Sequence, residues 1–163
     1  MNRREFTIGV DVFDSIHQLS LEDKQLCEEA VSALKSSHSP YSNFKVGAAL
    51  RLKNGQILYG SNQENVAYPS GLCAERVALF HAGASFPGEQ ITTIAITAHT
   101  DNFEILNPIT PCGSCLQVMA EYEKKQKEPI TILLYCLNKQ IWRATGIETF
   151  LPFLFFENKL SNK

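Results

Sequence analysis

No excess of basic residues marks this chain: 15 Lys and Arg stand against 17 Asp and Glu, leaving a formal net charge of −2. Polynucleotide-binding domains usually present a basic face that neutralises phosphates, so a folded nucleic-acid binder is disfavoured. No apolar run approaches the roughly 20 residues of a membrane-spanning helix. The opening MNRREFTIGVDVFDS carries two arginines but not the apolar block of a signal peptide. A cytoplasmic protein with no membrane partner is expected. Cysteine is scarce and odd in number, at positions 27, 73, 112, 115 and 136. Without an export signal, metal binding, catalysis or core packing explain these thiols better than disulfides. Repeats, low-complexity tracts and linkers are also missing. What remains is 163 residues, 44% hydrophobic and 20% charged, which describes one domain with a real core.

Phe6, Ile8, Val10 and Val12 alternate with Thr7, Gly9 and Asp11, which predicts a half-buried strand in an N-terminal extension spanning residues 1–19. Residues 20–163 form the main domain. Ser20 to Lys35 has the apolar stripe Leu26, Ala30, Leu34 and a capping Ser20, so it predicts a helix with Cys27 packed in the core. Lys45–Leu52 and Ile57–Gly60 predict a hairpin turning at Asn54-Gly55, because both turn residues accept positive φ. A helix starts at Cys73 and runs to about Ala82, closed by Gly83 and the Pro87-Gly88 turn. Ile91–Thr97 is a buried strand. Thr110 is placed to cap a further helix with Pro111 at its first position and Cys112 in its first turn, reaching about Lys125. ITILLYC and IWRAT read as strands, and IETFLPFLFFENK as a C-terminal helix. The alternation implies an α/β fold: a three-layer α/β/α sandwich around a mixed central sheet of about five strands. Phe150, Phe153, Phe155 and Phe156 make a dense aromatic patch suited to a subunit interface or to core burial.

Cys112 and Cys115 form a CxxC pair at one helix start, and Cys73 lies at another. A lone CxxC is ambiguous between a redox pair and half of a structural metal site. A third thiol in the same context, with no second CxxC, favours one three-cysteine metal site. Helix starts carry partial positive charge that favours thiolates, and sulfur-rich tetrahedral sites point to Zn2+ with an open fourth position. Glu75 is two residues after Cys73, so it faces away from direct ligation but can reach a water on the metal, whose acidity the metal raises. Arg76 can donate to thiolate sulfur and offset the net negative charge of three thiolates around Zn2+. His17, His38, His81 and His99 show no ligand spacing, and Cys136 ends a strand-like run as a packed thiol.

CAER and TPCGSC, with SPYSNFKVGAAL and NQENVAY upstream and FLPFLF near the end, occur together in one order. On these motifs the chain resembles the small homotetrameric cytidine deaminases with a three-cysteine zinc site. The resemblance runs from about Ser20 to Phe156. It implies hydrolytic deamination of cytidine and 2′-deoxycytidine to the uridines with release of ammonia, in pyrimidine salvage. It implies Cys73, Cys112 and Cys115 as zinc ligands and Glu75 as the shuttle carrying protons from the metal water to N3 and then to the leaving ammonia, as in zinc deaminases generally. It further implies that the Ala74 N–H contacts the base, Phe44 packs on it, and Asn62 and Glu64 hold the ribose 3′-hydroxyl. Phe155 would reach into a neighbouring subunit's pocket, so that active sites are shared in a homotetramer. Leu116 stands where the family often has arginine, and residues 1–19 exceed what these enzymes need.

Two other readings compete: deamination of a cytosine-containing antibiotic such as blasticidin S, and a structural zinc module closed by a fourth protein ligand. On residue type alone, Phe44 fits a core position, and Asn62 and Glu64 fit an ordinary loop. A polynucleotide would use the 3′-hydroxyl in a phosphodiester and favour a basic groove, so a free nucleoside is the expected substrate.

Overall fold

A computed structural model describes residues 1–157. Its centre is a mixed six-stranded sheet in the order β1-β6-β5-β4-β2-β3. The strands are β1 (Asp11–Phe13), β2 (Lys45–Leu52), β3 (Ile57–Ser61), β4 (Ile91–His99), β5 (Thr131–Tyr135) and β6 (Ile141–Thr145). Among these strands only β4 and β5 pair in parallel, and the crossover between them is the helix α3 (Gly113–Gln126). Helices α1 (Leu21–Ala33) and α2 (Ala74–Ser85) complete the α/β/α layering. Alternate strand residues serve opposite faces, as the pleat requires. Ala49, Ala95 and Leu133 pack with Leu26, Cys27 and Ala30 of α1. Ala48, Ile94, Ile96 and Leu134 pack with α2 and α3.

Two glycines bring helices onto the hairpin. A Cβ at Gly60 would lie 2.2 Å from the Ala74 carbonyl oxygen, and one at Gly47 would lie 2.1 Å from that of Ala30. The first contact seats the start of α2 on β3, which fixes where Cys73 begins its helix. Gly83 has a different role from the predicted helix stop. Helix α2 continues to Ser85, and the space at Gly83 admits the Tyr122 ring of α3, whose hydroxyl donates to the Leu79 carbonyl at 2.6 Å. All three glycines therefore act through close approach of neighbouring groups.

Other boundaries move for identifiable reasons. Ser20 caps α1 by accepting from the Asp23 N–H at 3.1 Å, as predicted. The hairpin turn puts only Gly55 at positive φ (+87°), while the Asn54 side chain accepts from the Gln56 N–H instead. The N-terminal strand is shorter and later than its alternation suggests. Gly9, which has no side chain to pack, precedes it, and pairing with β6 begins at Asp11 opposite Arg143. Arg143 also makes an ion pair with Asp11 and lies over the Phe13 ring, 4.8 Å from its centroid. This edge strand raises the sheet to six. The expected C-terminal helix does not form: a 3-10 turn at Ile147–Thr149 is followed by irregular chain through Glu157. Pro152 explains this, since an interior proline removes a donor and costs about 3 kcal/mol in a helix. The rest of that expected helix, Asn158 and Lys159, lies outside the described residues.

Candidate active site

The starts of α2 and α3 converge at one end of the sheet. Cys73 is the N-cap of α2 and Cys112 that of α3, both in extended backbone and neither using its side chain as a cap. Thr110, expected as the cap, lies instead in the wall of the adjoining cavity. Leaving the cap position to a thiol turns Cys112 Sγ towards its partners. The sulfurs of Cys73 and Cys112 are 3.8 Å apart, those of Cys112 and Cys115 are 3.5 Å apart, and all three lie within 4.8 Å of one another. A tetrahedral ion with Zn–S near 2.3 Å requires sulfur separations of about 3.8 Å. The trio fits Zn2+ in spacing and in donor chemistry. Among the described residues no His, Asp or Glu joins it, so the protein supplies three ligands.

The groups around Cys73 favour its thiolate. The contact with Cys115, with Arg76 beside it, holds the Cys73 thiol down to about 5, and the same contact pushes Cys115 up. Arg76 Nη2 lies 3.9 Å from Cys73 Sγ, and its Nε is buried without a hydrogen-bond partner. A cation in this position compensates the negative charge left when three thiolates surround a divalent ion. Glu75, in the first turn of α2, is only 4% exposed. Burial raises its pKa, which moves the carboxyl towards the range where it can both take and give protons.

A cavity of about 690 Å³ opens beside this corner, and its lining includes Cys73, Cys112, Glu75 and Arg76 together with Asn62 and Glu64. Asn62 is tied into the wall: its Oδ1 accepts from the Val46 N–H (2.8 Å) and the Ser37 hydroxyl (2.6 Å), and its Nδ2 donates to the Phe44 carbonyl (2.9 Å). Glu64 Oε2 accepts from the N–H groups of Tyr41 (2.9 Å) and Ser42 (3.3 Å), and Oε1 accepts from the Ser42 hydroxyl. The Ser42 hydrogen bond, aided by the two amides, holds the Glu64 carboxyl below its ordinary range.

Five other residues singled out in the sequence lie outside this wall. Ala74 is fully buried at the first position of α2, where the helix offers its N–H no acceptor. Phe44 is not in the cavity wall: its ring stacks on Phe103 with centroids 6.1 Å apart. Phe155 is 74% exposed and outside this cavity, and Gln117 of α3 grips its backbone through two hydrogen bonds of 2.9 and 3.2 Å. Cys27 and Cys136 are buried away from the trio, as expected of packing thiols. Sequence reasoning missed Tyr41, Tyr68, Ile96 and Ile109 in the wall and gave Ser42 no part beyond a turn. The signal for Ser42 was present in SPYSNF, but its partner lies in a segment 22 residues away.

Residues 20–128 match the model of the cytidine and deoxycytidylate deaminase zinc-binding region. A cytidine deaminase of Halalkalibacterium halodurans is 43% identical over 101 residues, covering 62% of this chain and 72% of that protein. One of Sporosarcina psychrophila is 39% identical over 102 residues, covering 63% and 71%. The crystal structure of cytidine deaminase from Burkholderia pseudomallei superposes with a TM-score of 0.70 at 38% identity, covering 80% of this chain and 97% of that one. With a metal-ready cysteine trio in the matched region, the chain belongs to the cytidine and deoxycytidylate deaminase family and is a zinc-dependent hydrolase.

Proposed function

We propose that this protein deaminates cytidine and 2′-deoxycytidine hydrolytically, giving the corresponding uridines and ammonia in pyrimidine salvage. The observation that carries this reading is the buried Glu75 carboxyl lining the same cavity as Cys73 and Cys112, two of three sulfurs at zinc spacing. The relatives named as cytidine deaminases support the choice of substrate. Zinc, when bound by Cys73, Cys112 and Cys115, supplies the Lewis acidity that makes a water a nucleophile at neutral pH. Glu75 takes the proton of the attacking water as C4 is hydrated. It passes that proton to N3, then takes the remaining proton of the hydroxyl on C4 and gives it to the amino group, so that the C4–N bond breaks and ammonia leaves as the C4 carbonyl forms. The Ala74 N–H, free of helix hydrogen bonding, contacts the base.

Asn62 and Glu64 receive the sugar. After its internal bonds Asn62 retains one N–H, and Glu64 retains one of about four carboxylate acceptor positions. One free donor beside one free acceptor matches a single hydroxyl, which both accepts and donates. A 3′-hydroxyl meets that demand in both nucleosides, whereas a phosphodiester could not donate. Phe44 and Phe155 lie outside the wall of this cavity within one chain. We assign Phe44 to the base and Phe155 to a neighbouring subunit's pocket in a cytoplasmic homotetramer, with residues 20–163 as the deaminase unit. The exposed aromatic patch supports such an assembly.

The test is the ultraviolet change when zinc-assayed protein meets cytidine, with cytosine and cytidine monophosphate in parallel. Turnover of cytidine but not of cytosine is expected. Zinc-loaded protein inert towards all three would overturn the reading.

A further inference from the structure

The two sugar-facing residues are joined by one peptide segment. Asn62 Nδ2 donates to the Phe44 carbonyl, and the Phe44 N–H donates to Ser42 Oγ at 3.0 Å. Because that N–H fills an acceptor position, the single Ser42 proton is free to go to Glu64 Oε1, and the geometry places it there. The direction of the relay is therefore fixed: Phe44 N–H to Ser42, Ser42 O–H to Glu64. Asn43 between them adopts φ +53°, a left-handed conformation that asparagine tolerates better than most residues, and its N–H returns to the Ser39 carbonyl at 3.0 Å. This turn brings the Phe44 N–H back onto Ser42.

The two backbone amides that reach Glu64 both land on Oε2. They restrain one oxygen and leave the other able to swing about it. Ser42 Oγ is what restrains Oε1, and with Oε2 accepting twice, Oε1 carries the remaining acceptor position. We infer that Ser42 is a positioning residue: its hydroxyl aims the one free lone pair of Glu64 at the ribose 3′-hydroxyl and so sets discrimination for that group. The inference rests on the assignment of Glu64 to the sugar. Ser42 does not touch the reacting atoms, and its effect acts through Glu64.

The experiment compares kcat and KM for cytidine and 3′-deoxycytidine in the wild type, Ser42→Ala, Ser42→Thr and Glu64→Gln. A hydrogen bond to a charged group makes the wild type favour cytidine by about tenfold or more in kcat/KM. Ser42→Ala is expected to lower that preference several-fold by raising KM for cytidine, with 3′-deoxycytidine little changed. Ser42→Thr, which keeps the hydroxyl, restores it. A merely structural role would lower both substrates together and leave the preference intact, which would overturn the inference. If the wild type itself does not distinguish the two nucleosides, the Glu64 assignment fails, and the inference with it. If Glu64→Gln loses the preference while Ser42→Ala keeps it, the assignment stands and the role of Ser42 alone falls.

Discussion

The sequence singles out both the cysteine corner and the C-terminal arm, yet they are built in opposite ways. At the corner, three thiols and Glu75 sit on the starts of two helices that are packed against a sheet, and Cys115 and Glu75 are buried. The arm from Phe150 to Phe156 has no regular structure. Phe153 and Phe155 are 76% and 74% exposed, and the arm is tied down by Gln117, by the Phe6 edge contact at 5.1 Å and by Lys124 over Phe156. The corner gets its geometry from its own chain. The arm carries apolar surface that its own chain leaves exposed.

The largest expected effect tests the corner. Glu75→Gln keeps the shape of the side chain and removes its proton chemistry, so kcat should fall by about 10²–10⁴-fold, the span of general acid–base catalysis. Zinc content, read by metal analysis, should stay unchanged, because Glu75 is not a ligand. Parallel loss of zinc would show that the corner is not preorganised, and the contrast with the arm would collapse.

The next effect tests the support behind it. Gly60→Ala puts a methyl group 2.2 Å from the Ala74 carbonyl oxygen, backbone against backbone. Overpacking of this kind costs about 1–3 kcal/mol. Denaturant unfolding should show that loss together with weaker zinc retention, since the shift moves the start of α2 and Cys73 with it. A stability loss with zinc retention unchanged would mean that the contact sets the fold but not the metal geometry.

How much of each region could be read in advance follows from the same contrast. Cys73, Glu75 and CxxC were legible because helix periodicity converts sequence spacing into facing groups. The strands β2, β4 and β5 were likewise legible, β2 from the hairpin turn at Asn54-Gly55 and β4 and β5 from their short apolar runs. The arm was misread as a helix because its aromatic density outweighed Pro152, whose missing donor decides the matter. Thr110 looked like a cap by residue type, but α3 begins at a thiol that is reserved for metal. Ser42 could not be assigned because its partner Glu64 comes close only after the hairpin returns the chain, and local pattern carries no such register.

Phe155→Ala tests the arm directly. If the ring enters a neighbouring subunit's pocket, truncating a buried interface aromatic costs about 2 kcal/mol. The expected signs are a KM for cytidine raised by about tenfold or more, on the usual 1.4 kcal/mol per decade, and a lower mass by light scattering at dilution. Zinc content should not move. Unchanged KM and mass would show that the exposed arm has no covered state that matters for the reaction.

The smallest effect is expected where the two regions meet. Gln117 lies on α3 just beyond Cys115, and both of its bonds to the Phe155 backbone are solvent-exposed. Such neutral bonds contribute about 0.5–1.5 kcal/mol each at most, and water replaces part of that when they are cut. Gln117→Ala should therefore raise KM only a few-fold, less than Phe155→Ala, with kcat and zinc content unchanged. If the ring's docking orders the arm by itself, Gln117→Ala will be silent in the assembled protein and visible only under dissociating conditions. If kcat falls instead, a change at the arm is reaching the thiols through α3, and the corner is not independent of the arm.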